Sequence, residues 1–222
     1  MIDIDIDATI KKYHGRTCWA GLDLGATSDF SAAAYLFDAP CGVIDIIARF
    51  WCPSARLYDK KNRYRDQYRM WVDAGWMKVT DGNSVDYDVI LADIVRDSRV
   101  VMIDSMNIDR LFQGAHMLNK LTEAGVNVVG LGMGYVGMAV PMRRFEQLLL
   151  DKKLNHGGNP VMRFCADNVA VSRDPTDNLK PNKAASQGKI DGIVAVVLAL
   201  DRWVRSERQH GPAGDGSAGI IY

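Results

Sequence analysis

Apolar positions along this chain repeat with two periods, and the change of period maps its elements. Residues 17–24 (TCWAGLDL) are apolar and β-prone and stop at Gly25, which predicts a strand. Residues 30–38 (FSAAAYLFD) predict a second strand, reached through the turn residues GATSD. Residues 43–51 (VIDIIARFW), rich in β-branched and aromatic side chains, predict a third. Such short connections predict an antiparallel meander.

Helical spacing then takes over. Ser54 can cap one helix from about Ala55 to Asp73, closed by Gly75. Asp86 to Asp97 is a second helical stretch, with Val89, Ile90 and Ile94 on one face. VVMID at 100–104 reads as a short buried strand that ends in Asp104. Ile108, Leu111, Phe112, Ala115, Leu118 and Leu121 follow at helical spacing, and Gly125 stops that helix. VNVVGL at 126–131 is another buried strand. Pro141 is expected near the start of a helix that runs to about Lys153, and residues 160–172 as one or two strands. DPTDNLKPN is a polar loop. Ile190, Ile193, Val194, Val197, Leu198 and Val204 mark a closing amphipathic helix. This order predicts an α/β fold whose mixed sheet is antiparallel at one side and parallel at the other, with helices on both faces. Residues 1–14 are expected as an arm or linker, 15–205 as one domain, and 206–222, with their Gly, Pro, Ser and Asp, as a disordered tail.

Composition narrows the classes. The chain has 222 residues, 48% of them hydrophobic and 24% charged, which excludes wholesale disorder, collagen and a disulfide-stapled miniprotein. Lys and Arg number 27 against 27 Asp and Glu, so any nucleic-acid site has to be a local patch. Cys18, Cys41, Cys52 and Cys165 lack zinc-ligand spacing and are expected as reduced thiols. The N-terminus has neither a basic nor an apolar signal region, and no apolar run approaches membrane-spanning length, so an intracellular, non-secreted protein is expected.

Three carboxylates stand out. Asp23 interrupts an apolar strand, Asp104 ends one, and Asp191 starts the last helix. Sites in open α/β sheets gather at the carboxyl ends of strands, where neighbouring strands can bring such groups together. Converging carboxylates repel unless divalent cations neutralise them, and Mg²⁺ and Mn²⁺ prefer oxygen ligands. Two such ions about 4 Å apart can stabilise the attacking and leaving oxygens of a phosphodiester. The competing structural roles are a dipole-facing acid for Asp191 and a loop-start turn for Asp104. A buried strand Asp such as Asp23 needs a partner.

With these residues in place, the chain resembles the nuclease domain of the large terminase subunit of tailed double-stranded DNA phages. The likeness runs from about Tyr13 to Arg202. It rests on GLDLGATSDFSAA, IDSMN, VPMRRFEQLLLDKKLNHGGNPVMRFCADN and DNLKPNKAASQGKIDGIVAVVLAL. It implies an RNase H-like fold, and Asp23, Asp104 and Asp191 as an acidic triad holding two Mg²⁺ or Mn²⁺ ions, with Asp29 a weaker candidate. It places Asn107, His156 and Asn159 in substrate-positioning or structural roles, and Lys183 and Lys189 against phosphate. Gly25 stands where many relatives have Ser, and Ser105-Met106 replaces a more usual Pro-Tyr. The implied activity is cutting of concatemeric double-stranded DNA, with little sequence preference, during genome packaging in the cytoplasm of an infected bacterium. The implied partners are DNA, the terminase ATPase domain, the small terminase subunit and the portal or procapsid. No G-x-x-x-x-G-K-[ST] loop occurs, so the ATPase half is expected elsewhere.

Two surfaces could serve DNA. Between Arg49 and Arg69, seven Lys or Arg face two Asp, with Tyr58, Tyr64, Tyr68 and Trp71 interleaved; the run reads as a basic ridge or as a solvated helix face over packed aromatics. Lys180, Lys183 and Lys189 lie beside the acids. Two other functions stay open: a catalytically idle DNA-binding or motor-docking module, which would bind DNA without cutting it, and, through GLDLGAT, an actin-like nucleotide-binding domain.

Overall fold

The structure is a computed structural model that describes residues 5–25, 30–110 and 113–210. Strands β1 (Thr17–Asp23), β2 (Ser31–Ala39) and β3 (Val43–Pro53) form the expected antiparallel meander, in register Asp23↔Ala32 and Ala32↔Phe50. Beyond β1, β5 (Met102–Asp109) and β6 (Val128–Leu131) add in parallel. On the far edge of β3, β4 (Lys78–Thr80) and the two-residue β7 (Leu154–Asn155) pair at opposite ends. The sheet order is β4-β3-β2-β1-β5-β6, and the mixed sheet with helices on both faces matches the expectation.

Strand β2 lies between two helical layers, so its residues 31–37 are buried on both faces. One face carries α4 (Tyr87–Ser98) and α5 (Gln113–Glu123), packed through Ile90, Ile94, Met117 and Leu121 on Ala20, Leu22, Ala33 and Tyr35. The other carries α3 (Arg65–Asp73), α6 (Tyr135–Leu150), α7 (Pro160–Asn168) and α8 (Asp191–His210). Helix α8 is central: all ten residues from Asp191 to Leu200 are buried. It crosses β1 at Gly21, where a Cβ would lie 2.1 Å from the Ala195 carbonyl oxygen, so a side chain there would push the helix off the sheet.

Several boundaries differ from expectation. The segment 1–14, expected as an arm, holds α1 (Ile6–Lys11), capped by Asp5 and anchored by buried Ile10. The single helix expected over 55–73 is two, α2 (Ala55–Tyr58) and α3, separated by a bend at 59–64. Helix α6 begins at Tyr135, so Pro141 lies inside it, not near its start. Residues 160–168, expected as strand, form α7: the Asn159 carboxamide accepts from the Val161 and Met162 amides at 2.9 and 3.1 Å, and Pro160 takes the first helical position. Strands β8 (Val171–Arg173) and β9 (Leu179–Pro181) form a hairpin inside what was expected as loop. Helix α8 runs to His210, so the tail expected from Ser206 is helical at its start; residues 211–222 lie outside the described part. All four cysteines are free thiols. Among the described residues no helix is long and apolar enough to cross a membrane.

Candidate functional site

Alternation along β1 turns Trp19, Gly21 and Asp23 toward α8. Asp23 therefore ends β1 on the face where α8 begins, and Asp191 is the first residue of that helix. Both are almost fully buried, at 4% and 3% exposure. Gly192 permits the approach, because a Cβ there would stand 2.9 Å from the Met162 sulfur and from a Phe50 ring carbon. Asp191 at the helix N-terminus also faces the positive end of the α8 dipole.

The parallel neighbour of β1 supplies a third carboxylate, and it is not Asp104. Strand β5 continues five residues past Asp104, through Ser105, Met106, Asn107, Ile108 and Asp109. The register Gly21↔Asn107 and Leu22↔Ile108 brings Asp109 level with Asp23 on the adjoining strand. Asp23 and Asp109 line one cavity of about 440 Å³ with Leu24, Met133, Tyr135, Lys180, Asn182 and Lys183. Asp104 is exposed and sits at a bulge, where pairing skips from Cys18↔Ile103 to Trp19↔Ser105. It is roughly 16 Å back along the strand, at a rise of about 3.3 Å per residue. There it accepts from the Ser105 hydroxyl at 2.8 Å.

Lys183 completes the cluster. Its ammonium lies 2.7 Å from Asp23 Oδ2 and 2.8 Å from Asp191 Oδ1, bridging the two acids. Asp23 Oδ2 is buried and, beyond that ion pair, has no well-directed hydrogen bond. Burial raises the Asp23 carboxyl to about 7; Lys183 opposes the rise and the neighbouring Asp191 adds to it. The same two carboxylates hold Lys183 protonated, overcoming burial, which alone would lower it. Among the described residues no three carboxylate, imidazole or thiol groups close around a point as an ion requires. The chemistry of the donors, three carboxylates of which one is buried and under-bonded, is nonetheless of the hard-oxygen kind that Mg²⁺ or Mn²⁺ takes.

The other expected site residues disperse. Asn107 is fully buried beneath β1 and β5, and its amide donates to the Leu198 carbonyl and to Asp201 at 3.0 and 2.8 Å, so it fastens α8 to the sheet. His156 and Asn159 lie at the opposite end of the sheet, where β7 pairs with the start of β3. Gly157 and Gly158 there take φ of +60° and +75°, which explains the glycine pair as a turn. Lys189 stays near Asp191; burial lowers its pKa, and the Asp191 charge opposes only part of that fall. Asp29 lies outside the described residues.

The basic stretch 49–69 also divides. Arg49 is buried and paired with Asp97, and Tyr68 and Trp71 stack in the core. Arg63 and Tyr64 instead reach the loop that carries Lys183: both donate to the Gln187 carbonyl. Asp109 is the cavity residue that the sequence did not single out, whereas Lys180 lies beside the acids as expected. Lys180 lies 4.7 Å over the Tyr135 ring.

Comparison with known proteins gives a consistent result. Residues 5–207 match the family model described as terminase large subunit, endonuclease domain. The chain is 32% identical over 190 residues to the large terminase subunit of Enterobacteria phage HK97, covering 83% of this chain and 37% of that protein. It is 29% identical over 215 residues to Protein YmfN of Escherichia coli K12, covering 92% of this chain and 47% of that one. The chain thus spans less than half the length of these relatives. A crystal structure of the HK97 large terminase superposes with TM-score 0.78 at 30% identity, over 91% of this chain and 43% of that one. The large terminase nuclease of thermophilic phage G20c, also solved with bound magnesium, has TM-scores of 0.57 at 13–14% identity over about 85% of each chain; it shows the shared fold.

Proposed function

We propose that this chain, which belongs to the terminase large subunit endonuclease-domain family, hydrolyses phosphodiesters of double-stranded DNA with little sequence preference, using two Mg²⁺ or Mn²⁺ ions. The observation that carries the reading is the Lys183-bridged pair of Asp23 and Asp191, with Asp109 level with Asp23 on the adjoining strand and lining the same cavity. Asp109 takes the role that the resemblance lent to Asp104. Asp23, beside both other acids, would be the shared ligand, with Asp109 and Asp191 completing one side each. Bound there, the ions would acidify a water nucleophile and stabilise the departing 3′ oxygen.

The protein's own part is to hold and to orient. The three acids concentrate negative charge where burial strengthens their hold on a cation. Lys180, fixed over Tyr135 on the cavity wall, can take a phosphate oxygen without reading a base. Lys183 and Lys189 stand close enough to Asp191 to offset charge on the phosphate. In the biological setting, the cuts would begin and end packaging of concatemeric DNA in the host cytoplasm. The partners would be the ATPase domain, the small terminase subunit and the portal.

The test is cleavage of supercoiled plasmid with Mn²⁺, Mg²⁺ or EDTA, run with Asp109→Asn and Asp104→Asn. Metal-dependent nicking that Asp109→Asn abolishes and Asp104→Asn keeps supports the reading. A wild-type chain that binds DNA and never cuts it would move the idle-module reading to first place, a reading favoured by the ammonium now lodged between Asp23 and Asp191.

A further inference from the structure

We propose that Lys183 is a resident counter-ion, which a divalent cation must displace before the site can load. The inference rests on the metal reading of Asp23, Asp109 and Asp191. The ammonium touches Asp23 and Asp191 at 2.7 and 2.8 Å, so it occupies the place on both acids that a bridging ion needs. A Mg²⁺ ion would draw those oxygens to about 2.0–2.1 Å, leaving the ammonium in contact with a like charge where water screens little. The two cations therefore exclude one another.

The surroundings let the side chain leave while its backbone stays. Lys183 sits on the 182–190 loop between β9 and α8. The Asn182 side chain accepts from the Ala185 amide at 3.0 Å, and the Asn182 carbonyl from the Ser186 amide at 3.1 Å. Arg63 and Tyr64 hold the Gln187 carbonyl from the other side. The Lys183 side chain itself is 49% exposed and lines the open cavity shared with Asp109 and Lys180. Released from the acids, its ammonium reaches into the space where a DNA phosphate would lie. A phosphate offers it a new partner, so DNA and metal help one another to bind, and by reciprocity each raises the affinity for the other.

The experiment is calorimetric titration of Mn²⁺ into the full chain, without DNA, for wild type, Lys183→Met, Lys180→Met and Asp23→Asn. Lys183→Met should bind Mn²⁺ at least about tenfold tighter than wild type, whereas Lys180→Met, which removes the same charge from the same cavity, should change affinity less than about twofold. Adding a duplex with phosphorothioate linkages should tighten Mn²⁺ binding in wild type more than in Lys183→Met. A second measurement needs no variant: acetylation of wild-type Lys183, read by mass spectrometry against Lys180, should speed up when Mn²⁺ is added. Equal Mn²⁺ affinity of wild type and Lys183→Met, at a site that Asp23→Asn destroys, would overturn the counter-ion role and leave the metal site standing. No Asp23-dependent Mn²⁺ binding in any form would overturn both. Should Lys183→Met fail to fold, the acetylation rate decides: an Lys183 rate indifferent to Mn²⁺ overturns the proposal.

Discussion

Two buried acidic clusters sit on opposite faces of the same sheet, and they are partnered very differently. On the α4 face, Asp97 accepts from Arg49 Nε and Nη2 at 2.6 and 2.7 Å and from the Tyr35 hydroxyl at 2.9 Å. Asp93 beside it accepts from the Trp51 indole, from Lys78 and from Arg96 at 2.8–3.0 Å. On the α8 face, Asp23 and Asp191 share one ammonium, and Asp23 Oδ2 has no well-directed hydrogen bond. Burial pushes the carboxyls of both Asp97 and Asp23 up. Arg49 and Tyr35 then pull Asp97 back, whereas at Asp23 a second carboxylate adds to the rise. The lesson is that burial of an acid does not mark a site. Shortage of donors does, because a buried carboxylate that the fold leaves under-bonded is stable only with a cation from outside.

The sharpest way to break this comparison is through activity. On the proposed metal reading, Asp23→Asn and Asp109→Asn should each lower plasmid nicking in Mn²⁺ on the order of a thousandfold, since each would remove a carboxylate whose charge nothing else replaces. Asp104→Asn should stay within about twofold, because its carboxylate is exposed at the far end of β5. A comparable loss at Asp104 would return the site to the arrangement expected from sequence.

The structure sets Asp104 apart from Asp23 and Asp191 for a physical reason. VVMID looked like a complete buried strand because Ser105 and Asn107, which follow, are polar. Both are buried; the Ser105 hydroxyl accepts from Arg202, and the Asn107 amide nitrogen donates to Leu198 and Asp201, partners on α8 that no local pattern reveals. The alternation of Met106 and Ile108 was the available sign that the strand went on to Asp109. In the same way, Asn159-Pro160 signalled a helix start that the apolar run after it concealed. The meander of β1–β3 was legible because its turns and alternation are local. Asp23 stood out because it contradicts the apolar strand around it, and Asp191 because it opens the last helix; the structure joins the two through Lys183.

Stability separates the two clusters next. Asp97→Ala leaves the buried Arg49 guanidinium only the part-exposed Asp7 and removes the acceptor of the buried Tyr35 hydroxyl, and should cost about 3–5 kcal/mol in urea denaturation. Asp23→Asn relieves repulsion with Asp191 while Lys183 keeps one partner, so metal-free stability should hold within about 1 kcal/mol. Equal losses would show the α8-face acids to be structural as well. Asn107→Ala should fall between, at about 1–3 kcal/mol, because the Leu198 carbonyl loses a donor while Asp201 keeps Arg205. Its cleavage rate per folded molecule should be unchanged, which distinguishes a fastening role from the substrate role that the family resemblance allowed.

The smallest effect concerns the rim. Arg63 lies 4.6 Å over the Tyr64 ring and donates to the Gln187 carbonyl, so it steadies the loop that carries Lys183 from outside the acidic cavity. Arg63→Ala removes one positive charge and one tie to that loop. A single lost phosphate contact lowers the salt slope of duplex binding by about one, and affinity by only a few-fold. A lost tie alone would leave the slope as it was and change metal uptake instead, since Lys183 would then be held less firmly between Asp23 and Asp191. Binding of a short duplex measured from low to high salt, with Mn²⁺ titrated in parallel, tells the two apart. A fall in salt slope extends the DNA path from Lys180 across to the α2–α3 bend. An unchanged slope with tighter Mn²⁺ binding makes Arg63 part of the same counter-ion arrangement on the donor-poor face.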